Sequence, residues 1–175
     1  MPKPFYQNAS KHPWTMGLAD DLRAFFGGVE GRRVVLVGIG SPIRGDDAVG
    51  LRVIELLEGM KLRDVLLLST EIVPESYTGK IREFKPTHVL MIDAAHFNGE
   101  PGEGRVIPTQ QIGGVTLSTH SLPLTIFADY LRKTLCSNVA LLGVQSQNIG
   151  FGTGLTPEVE EGAQKIAKVL YEVLC

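Results

Sequence analysis

Three side chains that can hold a metal ion or activate water lie far apart in the sequence, and each sits where a regular element begins or ends. Asp47 closes a glycine-rich stretch, Asp93 ends an apolar run, and His120 opens a helical pattern. In open α/β sheets, sites form beyond the carboxyl ends of the strands, so parallel topology can bring these three side chains to one edge. Two carboxylates and one imidazole form an incomplete oxygen and nitrogen shell, which suits an exchangeable metal rather than a thiolate-bound structural zinc.

The glycine-rich stretch Gly38–Gly50 indicates a strand, a tight loop and a helix, because an apolar run precedes it and helical spacing follows it. Such loops often hold phosphate, but the adjacent Asp46 and Asp47 would repel an anion and attract a metal cation or a cationic peptide group. The two acids also replace the Lys and Ser/Thr of a P-loop, and Ile43 replaces the third glycine of a dinucleotide fingerprint. Capping of the following helix would explain one of the acids but not both.

Local electrostatics favour the metal-binding forms of these groups. The positive end of a helix favours ionised Asp47 and disfavours protonated His120, and metals bind carboxylate and neutral imidazole. Structural roles stay open, since Asp93 could cap a turn and His120 could bond a backbone carbonyl or cap its helix. We expect His88, at the start of a strand, to lie at the surface, and Cys136 to lie in the core at a helix end.

Strand and helix signals alternate along the chain, which predicts an α/β fold. We expect a three-layer sandwich, with a mostly parallel twisted sheet of about five strands and helices on both faces. Four apolar runs without alternation are typical of strands buried on both faces, and they lie at residues 33–38, 64–69, 87–93 and 139–144. Helical spacing occurs at residues 18–26, 47–58, 75–83, 121–134 and 157–174. Gly104–Pro108 is a possible further strand whose proline favours an edge position.

Size and composition limit the classes of function. The 175 residues fit a single domain over 1–175, in which residues 1–30 form an N-terminal extension with a short helix. The net charge of −2 and the absence of a basic block argue against nucleic acid as the main partner, and no stretch has the roughly 20 apolar residues that cross a bilayer. The first residues carry no apolar core of a secretion signal, and two isolated cysteines form no disulfide framework, so we expect a cytoplasmic protein.

Four motifs, in order, resemble those of one known family, the nickel–iron hydrogenase maturation endopeptidases. The family loop Gly-x-Gly-Asn-x-x-x-x-Asp-(Asp/Glu)-x-x-Gly is matched with Ser41 in place of Asn, and its Gly-x-x-Pro-Glu segment is matched with Ile72 in place of Gly. An Asp-Ala pair with a Pro-Gly turn and a Thr-His block complete the likeness, which covers roughly residues 33–172. The four segments are Gly38–Gly50, Ile72–Glu75, Ile92–Gly102 and Ser118–Leu124.

The resemblance implies a specific activity. Such endopeptidases remove a C-terminal extension from the precursor of a hydrogenase large subunit once nickel has been inserted. The family's metal-contacting trio falls here on Asp47, Asp93 and His120, which are expected to be the catalytic group, while Asp46 would act as general base or as support for the loop. The nickel would be transient and supplied by the substrate, with no tightly held cofactor. Glu75 is a candidate contact for the substrate tail.

Two other functions fit the same trio. A non-catalytic chaperone could check for nickel in a partner during hydrogenase assembly, and a metal-assisted hydrolase could act on a small molecule. The first would bind the precursor without cleaving it, and the second would have a closed pocket with a resident metal. The sequence leaves the oligomeric state open.

Overall fold

The computed structural model describes residues 13–114, 116–117 and 123–175. The helices are α1 (Pro13–Phe26), α2 (Val49–Glu58), α3 (Thr78–Phe84), α4 (Leu124–Leu135) and α5 (Pro157–Leu174). The strands are β1 (Val34–Ile39), β2 (Val65–Glu71), β3 (His88–His96), β4 (Gly104–Pro108), β5 (Thr116–Leu117) and β6 (Asn138–Gln145). Short 3₁₀ segments occupy Gly45–Ala48, Pro74–Tyr77 and Thr109–Gly114.

The strands form one mixed sheet in the order β2-β1-β3-β6-β4, with β5 paired to the end of β3. Strands β2, β1, β3 and β6 are parallel, whereas β4 runs antiparallel to β6 at the edge. The edge position confirms the expectation from the proline, because Pro108 has no N–H to offer a second neighbour. The two-residue β5, which pairs Leu117 with Ala95, is too short to leave a periodic signal in the sequence.

Two apolar cores lie on opposite faces of the sheet, which confirms the three-layer architecture. Helices α1, α2 and α5 cover one face, where Leu36, Leu90 and Leu142 point from three central strands. Helices α3 and α4 cover the other face, onto which Val37 and Met91 project. Strands covered on both faces need apolar side chains at successive positions, which accounts for the unbroken apolar runs. Among the described residues, no helix combines the length and apolar character needed to span a bilayer.

Three local expectations are wrong. Helix α1 starts at Pro13, several residues before the predicted start, and α4 starts at Leu124 rather than at 121. Cys136 is exposed rather than in the core, because it takes a left-handed conformation (φ 50°) that ends α4 and turns the chain outward. Cys175 is also exposed, and neither cysteine forms a disulfide.

His88 is fully buried at the first position of β3, contrary to the surface position expected for it. Its ring meets those of Phe25 and Phe26 edge-on, with centroids 5.3 and 5.7 Å away, and its Nδ1 lies 2.8 Å from the Thr87 hydroxyl. The last turn of α1 therefore covers this end of the strand. Burial, and next the positive charge of Arg32, lower the pKa of His88 from its usual value of 6.5.

We expect the free energy of unfolding to fall as the pH drops below about 6.5, because the unfolded chain then binds a proton on His88 that the folded chain resists. The loss continues down to the lowered pKa of the folded state, with a slope of at most about 1.4 kcal/mol per pH unit. Urea unfolding measured across this range would test it. His88→Gln, which keeps a polar atom but cannot titrate, should remove this part of the slope, and equal slopes in both proteins would contradict the assignment.

Candidate active site

Strands β1 and β3 end at the point where the sheet changes direction, and the topology predicts a crevice beyond their carboxyl ends. From β1 the chain crosses through α2 to β2 on one side, while β3 lies on the other side of β1. Helices α2 and α4 consequently lie on opposite faces of the sheet. At such a switch point the loops leave in opposite directions, which opens a cleft beyond the strand ends.

Two glycines bring the start of α2 down onto these strand ends. A Cβ atom on Gly50 would lie 2.2 Å from the carbonyl oxygen of Ile92 and 2.5 Å from that of Ile39, so only hydrogen fits there. Gly40, with φ +148°, leaves no room either, because its Cβ would lie 1.8 Å from the carbonyl oxygen of Asp47. The two glycines thus allow the loop and the start of α2 to pack directly against the ends of β1 and β3, which places Asp47 beside the end of β3.

Asp47 is 1% exposed and lies in the 3₁₀ segment that precedes α2. Its Oδ2 accepts a hydrogen bond from the N–H of Ser41 at 3.0 Å. Its Oδ1 is buried and accepts no hydrogen bond within the described part of the chain. A buried carboxylate oxygen without a donor costs free energy, so this position favours a cation or another donor.

Asp93 is fully buried in β3, at the level where β1 ends. The residue before it, Ile92, pairs with Gly38 of β1, and Asp93 itself pairs with Gly143 of β6. The structure therefore brings two of the three predicted ligands, Asp47 and Asp93, to one edge. His120 lies outside the described residues, and within the described ranges no three His, Cys, Asp or Glu side chains group to hold a metal.

Asp46 is fully buried and holds two loops together. Its Oδ2 accepts the N–H groups of Gln147 and Asn148 at 2.9 and 2.8 Å, and its Oδ1 accepts the N–H and hydroxyl of Thr156 at 2.8 and 3.0 Å. These bonds join the loop after β1 to the loop after β6 and to the N-terminus of α5. Because all of these donors occupy its lone pairs, the geometry favours the supporting role over that of general base.

Glu75 belongs to the 3₁₀ segment after β2, at the same edge of the sheet. Its Oε2 is buried and accepts no hydrogen bond among the described residues, although the residue as a whole is partly exposed. The position agrees with the expectation that this carboxylate lies near the site, while its contact with a substrate stays a prediction.

Sequence reasoning missed two buried polar residues at this edge. Gln145, at the end of β6, is 3% exposed and ties down the turn after β3. Thr70, near the end of β2, is 1% exposed and donates its hydroxyl to the carbonyl oxygen of Gly38 at 3.1 Å. The signal was available, because a polar residue directly after a buried strand is the pattern that singled out Asp93.

Comparison with known proteins gives a consistent result. The family model described as hydrogenase maturation protease matches residues 51–173, a range that includes Asp93 and His120 and begins just after Asp47. The chain is 40% identical to a crystal structure of the nickel–iron hydrogenase maturation protease HycI from Thermococcus kodakarensis, with a TM-score of 0.77 over 88% of this chain and 98% of the other.

Two curated relatives agree with this match. A provisionally named hydrogenase maturation protease of Methanocaldococcus jannaschii is 33% identical over 82% of this chain and 89% of its own length. The hydrogenase 3 maturation protease of Escherichia coli is 28% identical over 75% of this chain and 85% of its own length.

We expect Gly50→Ala to destabilise the fold by about 1–3 kcal/mol, because the added methyl group meets two backbone carbonyls at the floor of the crevice. Gly79→Ala is the matched control, since no atom beyond its chain neighbours and the backbone of its own helix lies within 4 Å of its Cβ position in α3. That change should stabilise the protein by about 0.5–1 kcal/mol through helix propensity. Urea unfolding of both variants measures the contrast, and similar effects would contradict the close-packing role.

We expect Asp46→Asn to lower the free energy of unfolding by about 1.5–3 kcal/mol, because the amide group then faces backbone N–H donors. Asp47→Asn should cost less, since one oxygen of that carboxylate accepts no hydrogen bond from a described residue. Chemical denaturation of the two variants gives the comparison. A larger loss for Asp47→Asn would argue against Asp46 as the structural member of the pair.

Proposed function

This chain belongs to the hydrogenase maturation proteases, a family of endopeptidases, and we propose that it removes a C-terminal extension from the nickel-loaded precursor of a nickel–iron hydrogenase large subunit. The observation that carries the proposal is the pair of buried acids, Asp47 and Asp93, at the switch point of a chain with this ancestry. An uncompensated carboxylate oxygen on Asp47 suits a cation that arrives with the substrate and leaves with the product.

His120 is the third proposed ligand. It follows Leu117 by three residues, and Leu117 pairs with Ala95, two residues beyond Asp93. Three residues span at most about 10 Å, so the chain length allows His120 to reach the acids. A trio of two carboxylates and one imidazole leaves positions open for ligands of the substrate. The nickel is thus a recognition element carried by the precursor rather than a resident cofactor.

The proposed reaction is hydrolysis of one peptide bond. Water adds to the scissile carbonyl, the C–N bond breaks, and the products are a new carboxylate on the large subunit and a released peptide with a new amino group. The cation beside Asp47 and Asp93 can polarise the carbonyl or lower the pKa of the attacking water. In this proposal Asp46 supports the loop and takes no part in proton transfer, because its oxygens accept hydrogen bonds from four donors of the segment between β6 and α5.

Exposed apolar side chains at the same edge support a macromolecular substrate. Ile43, Ile72 and Phe151 are 57%, 43% and 87% exposed, and they lie on the loops that follow β1, β2 and β6. Large apolar side chains grouped around a cleft are typical of surfaces that meet another protein. This pattern favours a polypeptide over the small molecule of a metal-assisted hydrolase. The two exposed, unlinked cysteines suit a reducing compartment such as the cytoplasm.

We expect cleavage of the nickel-loaded precursor and no cleavage of the nickel-free precursor, read by mass spectrometry of the precursor before and after incubation. Binding without cleavage would favour the nickel-checking chaperone. If a matched precursor is neither bound nor cleaved, the proposal is overturned. A purified protein with one tightly held zinc per chain would favour the small-molecule hydrolase.

Asp47→Asn, Asp93→Asn and His120→Ala should each abolish this cleavage, with a loss of at least about 100-fold in rate, because each removes one proposed ligand of the cation. Glu58→Gln is the matched control, since it also neutralises an acid but lies exposed at the far end of α2. Circular dichroism should show an intact fold in all four variants. Full activity in any one ligand variant would remove that residue from the site.

A further inference from the structure

A second polar arrangement lies at the end of β3, built on the buried side chain of Gln145. Its Oε1 accepts the N–H groups of Phe97 and Gly99 at 2.9 and 3.1 Å. Its Nε2 lies 3.0 Å from the carbonyl oxygen of Ser146 and 3.0 Å from Nδ1 of His96. All four polar positions of this amide are therefore used, although the residue is only 3% exposed.

These contacts determine which nitrogen of His96 carries the proton. Two backbone N–H groups can only donate, so the amide oxygen of Gln145 must face them and its NH₂ group must face the carbonyl and the imidazole. Nδ1 of His96 therefore accepts a hydrogen bond and carries no proton. The neutral ring has its proton on Nε2, which makes that nitrogen a donor.

The ring is held in place but reachable from solvent. His96 is exposed, and its backbone pairs with Thr116 of β5 while the preceding residue, Ala95, pairs with Gln145 of β6. Within the described part of the chain, Nε2 has no acceptor. A donor fixed on a strand end and kept accessible is the arrangement expected of a binding group, since its orientation is set before the ligand arrives.

The distance along β3 sets what this donor can reach. His96 lies three residues beyond Asp93, which is about 10 Å at the rise of a β-strand. Because side chains alternate along a strand, positions 93 and 96 belong to opposite faces of the sheet, so a polypeptide that meets both must cross the end of β3. An extended peptide also covers about 10 Å in three residues. A polypeptide with its scissile bond beside Asp93 can thus present a backbone carbonyl to His96 about three residues away.

We propose that His96 is a substrate-binding residue, which donates its Nε2–H to a backbone carbonyl of the polypeptide about three residues from the cleaved bond, and that Gln145 is the positioning residue that sets its tautomer. The inference rests on the proposed function, because the peptide is the substrate of that reaction. It adds a contact outside the pair of buried acids, at which affinity for the substrate is gained without a direct part in bond cleavage.

Two substitutions of His96 separate binding from a structural role. In His96→Gln the amide nitrogen takes the approximate place of Nε2 and keeps the outward donor, whereas in His96→Asn the amide oxygen takes the place of Nδ1 and keeps only the bond to Gln145. We expect His96→Asn to raise KM for the nickel-loaded precursor by about 3- to 10-fold with kcat unchanged, as for one lost hydrogen bond. His96→Gln should stay within about 2-fold of the natural enzyme.

The opposite ranking, with His96→Asn normal and His96→Gln impaired, would show a structural role and overturn the inference, as would equal KM values in all three proteins. Absence of cleavage by the natural chain would instead overturn the proposed function, so the two failures are distinct.

The tautomer is tested without substrate, by the ¹⁵N resonances of the imidazole. We expect Nδ1 of His96 to be unprotonated in the natural chain and to become protonated in Gln145→Glu, whose second oxygen accepts rather than donates. A protonated Nδ1 in the natural chain would overturn the inference.

Discussion

The buried carboxylate of Asp46 is the constraint on which the candidate site depends. It draws the N–H groups of Gln147, Asn148 and Thr156 to one point, and so it fixes the loop after β6 against the loop after β1. A buried charge is tolerated because these donors replace its water shell. Together with the close packing of Gly40 and Gly50, these bonds hold the backbone that carries Asp47 in a defined position relative to the end of β3.

The adjacent acids Asp46 and Asp47 show how neighbouring residues take opposite roles. Successive side chains leave the backbone in different directions, so Asp46 points into a ring of donors while Asp47 faces the crevice with a buried oxygen that accepts nothing from the described residues. The carboxylate of Asp46 stabilises the fold, whereas the buried oxygen of Asp47 destabilises it and leaves a position open for a ligand. This division follows the general tendency of functional sites to hold groups that stability alone would not favour.

The candidate binding groups lie at different distances along β3, at one edge of the sheet. Strand β3 continues past the end of β1, so Asp93 lies on the floor of the crevice while His96 lies farther out, with β5 alongside in place of β1. The acids that attract a cation and the fixed donor at the end of the same strand are spread along the sheet edge rather than gathered in one pocket. This spread suits an extended polypeptide that crosses the strand end better than a compact molecule, and the loops after β1 and β6 add the exposed Ile43 and Phe151 as apolar surface.

The sequence by itself determined the fold class and the parallel strands, because burial on both faces leaves unbroken apolar runs. It also singled out Asp47 and Asp93 as polar residues next to such runs, and the structure places both at one edge of the sheet. The loop motif and the order of four segments also determined the family. Tertiary structure alone decided the burial of His88 under α1, the hydrogen bonds that Asp46 accepts and the contact between Gln145 and His96. These depend on contacts between residues about 50 to 110 positions apart, and local patterns carry no information on which distant donor meets which acceptor.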